Sequence, residues 1–544
     1  MKLKKTGKIF LTLGISGWIL IGVLLLTATR VDAKDNGRDT MFKKMELFNQ
    51  VLYNLQKNYV DTLYVDDMIE AAINGMLDEL DPHTTFFDPD EFEKFNTNTK
   101  GEFGGLGISI NQIGDYITVV SPIEGTPAYK MGIMAGDKIV KVDGTSVVGM
   151  STDDAIKQMR GDKGSKVLIT IKRPGVKEEL DFEIIRDIIK IDSVPYAFVM
   201  DNGIGYLRIR QFNANTTQEL SDNLNKLEKE GIRGLIIDLR FNPGGLLTEA
   251  VNTVNEFIGK DKRVVFTQGK LPEANQEYFT RYNRMRSGYP VVVMINEASA
   301  SASEIFAGSM QDYDRALVVG KTSYGKGSVQ RLFKLSDEYG IKITTAKYYI
   351  NSGRCIHKDL NDTLLKDPRV RYGDISEEEL DKMRAEADKE HLKDIHYTEK
   401  GRTVYGGGGI NPDLTIEQAK MTRLGMELRR KNLTFNFAVD YMIKNEDKVE
   451  LGFQVDDKIF NDFMQFAQED SVEWTDTQLD STMSWIKNNL TSNIINKKFG
   501  DEEGYKVAIQ DDQQLQEAVA IFDKCPTLDD MFSYAAEQQA KKEE

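Results

Sequence analysis

The sequence predicts a multidomain α/β protein with helical regions at both ends. Three observations predict it. The chain has 544 residues, more than one hydrophobic core serves, so roughly three or four domains are expected. In the middle of the chain, apolar strand-like runs alternate with helical spacings. In the flanking stretches, apolar residues recur every three or four positions. A hydrophobic content of 40% and a charged content of 29% are those of an ordinary globular protein. The net charge of −16 speaks against nucleic acid, since phosphate binding needs a surplus of Lys and Arg. With two cysteines and four histidines there is no CxxC pair and no HExxH, so no metal site is predicted.

Residues 1–33 read as a targeting segment. Lys2, Lys4, Lys5 and Lys8 precede an uncharged, mostly apolar run from Ile9 to Ala28. That run is long enough to cross a bilayer of about 30 Å, and its basic flank belongs on the cytoplasmic side. Val31-Asp32-Ala33 offers a small-residue cleavage site. A cleaved signal peptide and a retained inner-membrane anchor both fit. Either sends the rest of the chain into the periplasmic or other extracytoplasmic side of a bacterial cell envelope.

Residues 40–97 are expected to form a helical region. Phe42, Met45, Phe48, Val51, Leu52 and Leu55, then Met68, Ile69, Ala72, Ile73, Met76 and Leu77, keep helical spacing. Asp81-Pro82-His83 ends that pattern, because proline cannot continue a helix.

Residues 98–186 change to short strands and glycine turns. Gly104-Gly105-Leu106-Gly107 leads into Ile108-Ser109-Ile110; Tyr116–Val120, Lys138–Val142 and Val167–Ile171 read as strands, and Ser151 caps a short helix. This stretch resembles a PDZ module. The resemblance implies that a protein's carboxyl-terminal tail adds as a strand beside Ile108 and Ile110, its carboxylate held by amides of Gly105, Leu106 and Gly107. Glycine suits that loop because a backbone without Cβ can turn its amides toward an anion. Arg160, at the end of the helix, is expected either to complement the helix dipole or to couple tail docking to the active site through a carboxylate.

Residues 187–415 carry the α/β alternation. Gly234–Leu239 and Pro290–Ile295 are continuous apolar runs of the kind that make strands buried on both faces. The first is broken by Asn242-Pro243-Gly244-Gly245, and the second enters Ser299-Ala300-Ser301-Ala302-Ser303-Glu304 and a helix. Residues 357–400 are highly charged and read as an insertion. Residues 416–544 return to helical spacing and are expected to form a separate helical domain of no legible function.

The chemistry concentrates at three places. A serine hydroxyl needs a neighbouring base, and no histidine stands near a serine in a strand-to-helix turn. A lysine serves instead when burial leaves it neutral. Ser301 sits where the Ala302 amide opens a helix and favours negative charge. The amide of Gly244 or Gly245 can supply a second oxyanion donor. Lys326, in Gly325-Lys326-Gly327, is the candidate base, and Gln330 can orient its amine.

In that order, these features resemble the carboxyl-terminal processing peptidases, the tail-specific serine proteases. Ser301 and Lys326 stand 25 positions apart, as the dyad of that family does, which selects Ser301 over Ser299 and Ser303. The resemblance runs from about Met41 through Leu414. It implies a crotonase-like (ClpP/crotonase) peptidase core with no cofactor, acting on protein substrates with exposed apolar C-termini. A homo-oligomer is compatible with it. The alternative is a non-catalytic PDZ adaptor built on a retired peptidase. Gly320–Gly327 nearly spells a phosphate-binding loop, but Gly327 stands where the Mg²⁺-holding hydroxyl is required. A disulfide between Cys355 and Cys525 is left open.

Overall fold

The computed structural model describes residues 36–543 apart from 359–367, 372–374, 377, 381 and 384–391. The basic and apolar amino-terminal segment and much of the charged insertion lie outside the described residues. Among the described residues, no helix is long and apolar enough to cross a membrane. The chain divides after Glu79 into two compact units. The smaller contains α1 (Asn36–Asn58) and α2 (Val65–Leu77), the two helices that the apolar spacing predicts.

In the larger unit, β1 (Thr85–Phe87) and α3 (Pro89–Lys100) come first, with Asp88 capping the helix through the Glu91 amide at 2.8 Å. β2 (Glu102–Gly105) then leads into an antiparallel sheet of β3 (Ile108–Ile113), β4 (Tyr116–Pro122), β5 (Lys138–Val142), β6 (Thr145–Ser146), β7 (Lys166–Lys172) and β8 (Leu180–Ile185). α4 (Thr152–Met159) packs on it, capped by Ser151 as expected. Ile117, Val119, Ile139, Ile169, Ile171 and Ile184 fill its core. The strand over Val167–Ile171 does not close this sheet: β8 follows a turn at Gly175 and forms the edge opposite β3. β9 (Asp187–Lys190) pairs with β2, so the chain enters and leaves this module through one two-stranded ribbon.

The peptidase-like core begins with β10 (Tyr196–Val199), β11 (Ile204–Arg208), α5 (Thr216–Lys229), β12 (Gly234–Asp238), α6 (Leu247–Val254), β13 (Arg263–Gly269) and β14 (Glu277–Phe279). It continues through β15 (Val291–Ile295), α7 (Ala302–Asp312), β16 (Leu317–Gly320), β17 (Ser328–Lys334) and β18 (Gly340–Ile350) to β19 (Ile395–Tyr397), β20 (Thr403–Tyr405) and β21 (Leu414–Thr415). Six strands form one sheet in the order β10-β11-β12-β15-β16-β21, parallel except for β10. β1, β18, β13, β14 and β17 form a second, antiparallel sheet. Thr85–Phe87 therefore belongs to the core's second sheet, although it falls within the stretch read as helical.

The apolar runs are continuous because both faces of the parallel sheet are covered. Leu235, Ile237, Val291, Val293 and Val318 pack against α5, α6 and α7 on one side. On the other, Tyr206, Ile236, Val292, Met294, Leu317 and Val319 meet Leu515, Val519, Phe522 and Met531. Those partners come from α13 (Gln513–Lys524) and α14 (Leu528–Glu543), near the carboxyl end.

The carboxyl-terminal residues thus serve two cores. α8 (Arg423–Arg430), α9 (Leu433–Asn445), α10 (Asp457–Glu469) and α11 (Asp476–Phe499) enclose Leu428, Phe437, Phe463, Ile486 and Leu490 among themselves. α12 (Asp501–Ala508), α13 and α14 instead form the second layer of the peptidase-like sheet. The single separate helical domain expected over 416–544 is corrected accordingly. The sequence shows helical spacing in both halves but not which partner each apolar face meets. Cys525 is buried in this second layer and forms no disulfide.

Candidate active site

At the end of β15 the chain turns sharply into α7, and Ser301 stands at the turn with φ +56° and ψ −113°. A residue with a Cβ held in that region costs about 1–3 kcal/mol. Of the three neighbouring serines, Ser299 and Ser303 are fully buried and spent on structure. The Ser299 hydroxyl donates to the Leu239 carbonyl and the Ser303 hydroxyl to the Asn242 carbonyl, each at 2.9 Å. Ser301 is only half-buried; its side chain and that of Glu304 form a capping box at the start of α7, and among the described residues its hydroxyl donates to no carbonyl. Among the described residues, the Ala302 amide, first in the helix, donates to no acceptor. Ser301→Gly is expected to be more stable than Ser301→Ala by about 1 kcal/mol; equal midpoints in urea would show the turn to be unstrained.

The loop that carries Lys326 is tied to this turn by one carboxylate. Glu304, on the first turn of α7, is completely buried. One of its oxygens accepts from the Ser323 hydroxyl and the Gly325 amide, the other from the Ser301 amide at 2.7 Å and the Lys326 amide at 2.9 Å. Burial pushes its carboxyl up to about 7, against the pull of those donors. From the other side, the buried Tyr348 hydroxyl reaches the carbonyls of both Ser301 and Lys326. The backbones of the two candidate catalytic residues are therefore held together twice, by Glu304 and by Tyr348.

The Lys326 amine has no hydrogen-bond or ion-pair partner among the described residues. Burial is the largest cause holding its pKa below the usual lysine range, and the like charge of Lys342 adds to it, while Glu304 and Asp81 oppose. Gln330 is placed by a directional chain. Asp81 accepts from the Thr344 hydroxyl at 3.0 Å, so Thr344 is left to accept from the Gln330 amide at 3.3 Å; the same amide donates to Ser328 at 2.9 Å. The Gln330 nitrogen is thereby committed, and its carbonyl oxygen accepts none of the described hydrogen bonds. No bond joins Gln330 to Lys326. Asp81, read in the sequence as a helix terminator, is a hydrogen-bond hub that also accepts from the His83 and Thr84 amides.

The two glycines of Asn242-Pro243-Gly244-Gly245 are not equivalent. The Gly244 amide donates to the Asn242 side chain at 2.9 Å, so it is spent and is corrected as an oxyanion donor. The Gly245 amide donates to no acceptor among the described residues. Gly244 is needed for space: at φ +97°, a Cβ there would lie 2.7 Å from the Ser301 Cβ and 2.9 Å from the Ala302 nitrogen. The two turns are also laced together, the Ala300 amide donating to the Asn242 carbonyl at 2.9 Å and the Phe241 amide to the Asn296 side chain at 2.9 Å.

Beneath this turn lies a buried ionic cluster that the sequence reading missed. Asp238, fully buried at the end of β12, pairs with Arg240 at 2.7 Å and accepts from the Tyr206 hydroxyl at 2.8 Å. Arg240 in turn reaches Asp512 and Gln514. Opposite charges two positions apart in an otherwise apolar run were the available signal.

In the PDZ-like module, β3 is the sheet's edge and Ile108 and Ile110 pack against its core. Among the described residues the Leu106 and Gly107 amides donate to no acceptor, whereas Gly105 ends β2 and is registered against Asp187. Gly107 has φ +79°, and a Cβ there would meet the Thr126 side chain at 2.3 Å. Arg160 stacks over the Phe103 ring at 4.6 Å and lies 3.9 Å from Glu93. It therefore reaches the ribbon and α3, not Ser301 or Lys326. No cluster of acidic, histidine or cysteine side chains fit to hold a metal occurs among the described residues.

Residues 203–364 match peptidase family S41, residues 118–173 match the PDZ domain, and residues 425–500 match a family of unknown function. A carboxy-terminal-processing protease of Bartonella bacilliformis is 38% identical over 346 residues, covering 63% of this chain and 79% of that protein. The carboxy-terminal processing protease CtpA of Bacillus subtilis is 35% identical over 316 residues, covering 58% of this chain and 67% of that protein. Among solved structures, a photosystem II D1 C-terminal processing protease is 31% identical, covering 56% of this chain and 83% of that one with a TM-score of 0.32.

Proposed function

This chain belongs to the carboxy-terminal processing proteases of peptidase family S41, and on that premise we propose that it cleaves proteins near apolar carboxyl-terminal tails with a Ser301–Lys326 dyad. The observation that carries this reading is the shared carboxylate of Glu304, which receives the amides of both residues. A buried lysine held below its usual pKa range, its backbone tied to that of a strained serine, suits a base–nucleophile pair.

In the proposed reaction the substrate tail adds as a strand on β3, beside Ile108 and Ile110, with its carboxylate at the Leu106 and Gly107 amides. The chain extends to Ser301. The Lys326 amine takes the Ser301 proton as Oγ attacks the scissile carbonyl, and the oxyanion is met by the Ala302 and Gly245 amides. Lys326 then returns the proton to the departing amine. Water, deprotonated by the same lysine, hydrolyses the acyl-enzyme and releases Ser301. With substrate bound, the Gln330 carbonyl, unspent in the structure, accepts from the Lys326 amine and orients it. Arg160 links an occupied tail groove to the core through the ribbon.

The test is incubation with an unstructured protein ending in an apolar tail. Wild type shortens it, Ser301→Ala leaves it intact, and Arg160→Ala slows cleavage. Cleavage by Ser301→Ala would remove the dyad from the account, and an unchanged Arg160→Ala rate would remove the linkage.

The base must be uncharged, so turnover rises with pH through the Lys326 pKa, whose position below the usual range comes from burial first and Lys342 second. Lys342→Met removes the like charge and moves this rising limb to higher pH. A limb that stays in place in a pH–rate profile would show that Lys342 does not act on the base.

We further propose a cell-envelope location on the basic and apolar pattern of residues 2–28. Fractionation that left the protein in the cytoplasm would contradict it.

A further inference from the structure

The carboxyl-terminal helices do more than cover the sheet. Asp512 caps α13 through the Leu515 amide at 3.1 Å. The same carboxylate forms a bidentate pair with Arg240, at 3.0 Å to Nη1 and 2.6 Å to Nη2. The Gln514 side-chain oxygen accepts from Arg240 Nη1 at 3.0 Å, and its nitrogen donates to the Ile416 carbonyl at 2.8 Å. On its other edge the guanidinium is held by Asp238. Arg240 is 5% exposed, so each of these bonds stands in a water-poor setting where losing a partner is expensive.

Arg240 also begins the turn that reaches the candidate site. Its own amide donates to Asp238 at 2.9 Å. Phe241 follows with φ +61°, a conformation that persists only when its surroundings impose it. Asn242 comes next, its carbonyl receiving the Ala300 amide and its side chain the Gly244 amide, followed by Pro243, Gly244 and Gly245. Three residues thus separate Arg240 from Gly244, the glycine that abuts Ser301, and the Gly245 amide follows directly.

We propose that Asp512 is a positioning residue for the oxyanion turn: with Gln514 it fixes the Arg240 side chain, and through it the turn that presents Gly245 to Ser301. The inference rests on the proposed oxyanion role of the Gly245 amide. Residues far along the chain from the S41-matched region, and outside the match at 425–500, would then set the catalytic geometry. Charge-assisted bidentate pairing suits this task because it fixes orientation as well as distance.

Asp512→Asn is the informative change, since asparagine caps helices as well as aspartate and only the carboxylate is lost. In the full chain its kcat falls on the order of tenfold to a hundredfold, the scale of a small misplacement of catalytic groups. KM for the tailed substrate and the affinity of the PDZ module for a tail peptide stay as in wild type. Asp456→Asn, which keeps the corresponding cap of α10 through Ile459, retains wild-type kcat. If Asp512→Asn does not fold, Gln514→Met, which removes one neutral bond to Arg240, shows a few-fold loss confined to kcat. A folded Asp512→Asn with wild-type kcat, or a loss appearing in KM instead, would overturn the proposal; so would Gln514→Met with unchanged kcat. If Ser301→Ala still cleaves, the dyad reading fails; if Ser301→Ala is dead while Asp512→Asn is fully active, only this inference does.

Discussion

Lys326→Ala is expected to lose about 10³-fold or more in kcat, the scale of a positioned general base, while folding and tail-peptide binding persist. The amine is buried among groups that give it no hydrogen bond, so its removal costs the native state little. In the proposed mechanism it takes from the site the group that accepts the Ser301 proton. Turnover by purified protein, alongside titration of a tail peptide, separates the two. A variant that lost peptide binding together with turnover would show a structural lysine. One that kept turnover would point to another base.

Glu304→Gln is expected to be nearly as severe, about 10²-fold in kcat, although it changes one atom. All of the Glu304 partners are donors: the amides of Ser301, Gly325 and Lys326 and the hydroxyl of Ser323. An amide side chain offers one accepting oxygen, so one pair of donors must face an NH₂. Either the serine and lysine backbones come apart or the Ser323–Gly325 loop does. The same residue leaves a mark on stability. With a folded pKa of about 7 against an ordinary 4.5, the native state holds a proton that the unfolded chain has released between those values. Glu304 therefore makes stability fall as pH rises across that window. Urea unfolding at pH 5 and pH 7.5 should show this contribution in wild type and its absence in Glu304→Gln. Equal pH dependence in both would mean that Glu304 is ionised throughout.

Much of this was legible before the fold was. The apolar runs at Gly234–Leu239 and Pro290–Ile295 became β12 and β15, fully buried because helices cover both faces. The glycine-rich lead into Ile108–Ile110 became an edge strand with unspent amides at its entry. Pairings between distant residues were not legible. Thr85–Phe87 joins β18 across some 250 positions, and three residues are too few to show a period. Gly244 was read as a donor because sequence does not reveal that the Asn242 side chain takes its amide. Asp81 and Glu304 belong to short local motifs, whereas their work is to bridge remote loops. Asp512 and Gln514 stand at the start of α13, where the local sequence offers no more than a helix cap. Their second partner, Arg240, lies 272 positions away, a distance no local pattern spans.

Activation of Ser301 by Lys326 is the central step of the proposed reaction. The most direct measurement is the rate at which a serine-directed phosphonate probe labels the protein as pH is raised, with the modified residue identified by mass spectrometry. The prediction is a single adduct on Ser301 whose rate climbs with pH below the usual lysine range and collapses in Lys326→Ala. Labelling of a different serine, or a Ser301 adduct forming at the same rate without Lys326, would contradict it.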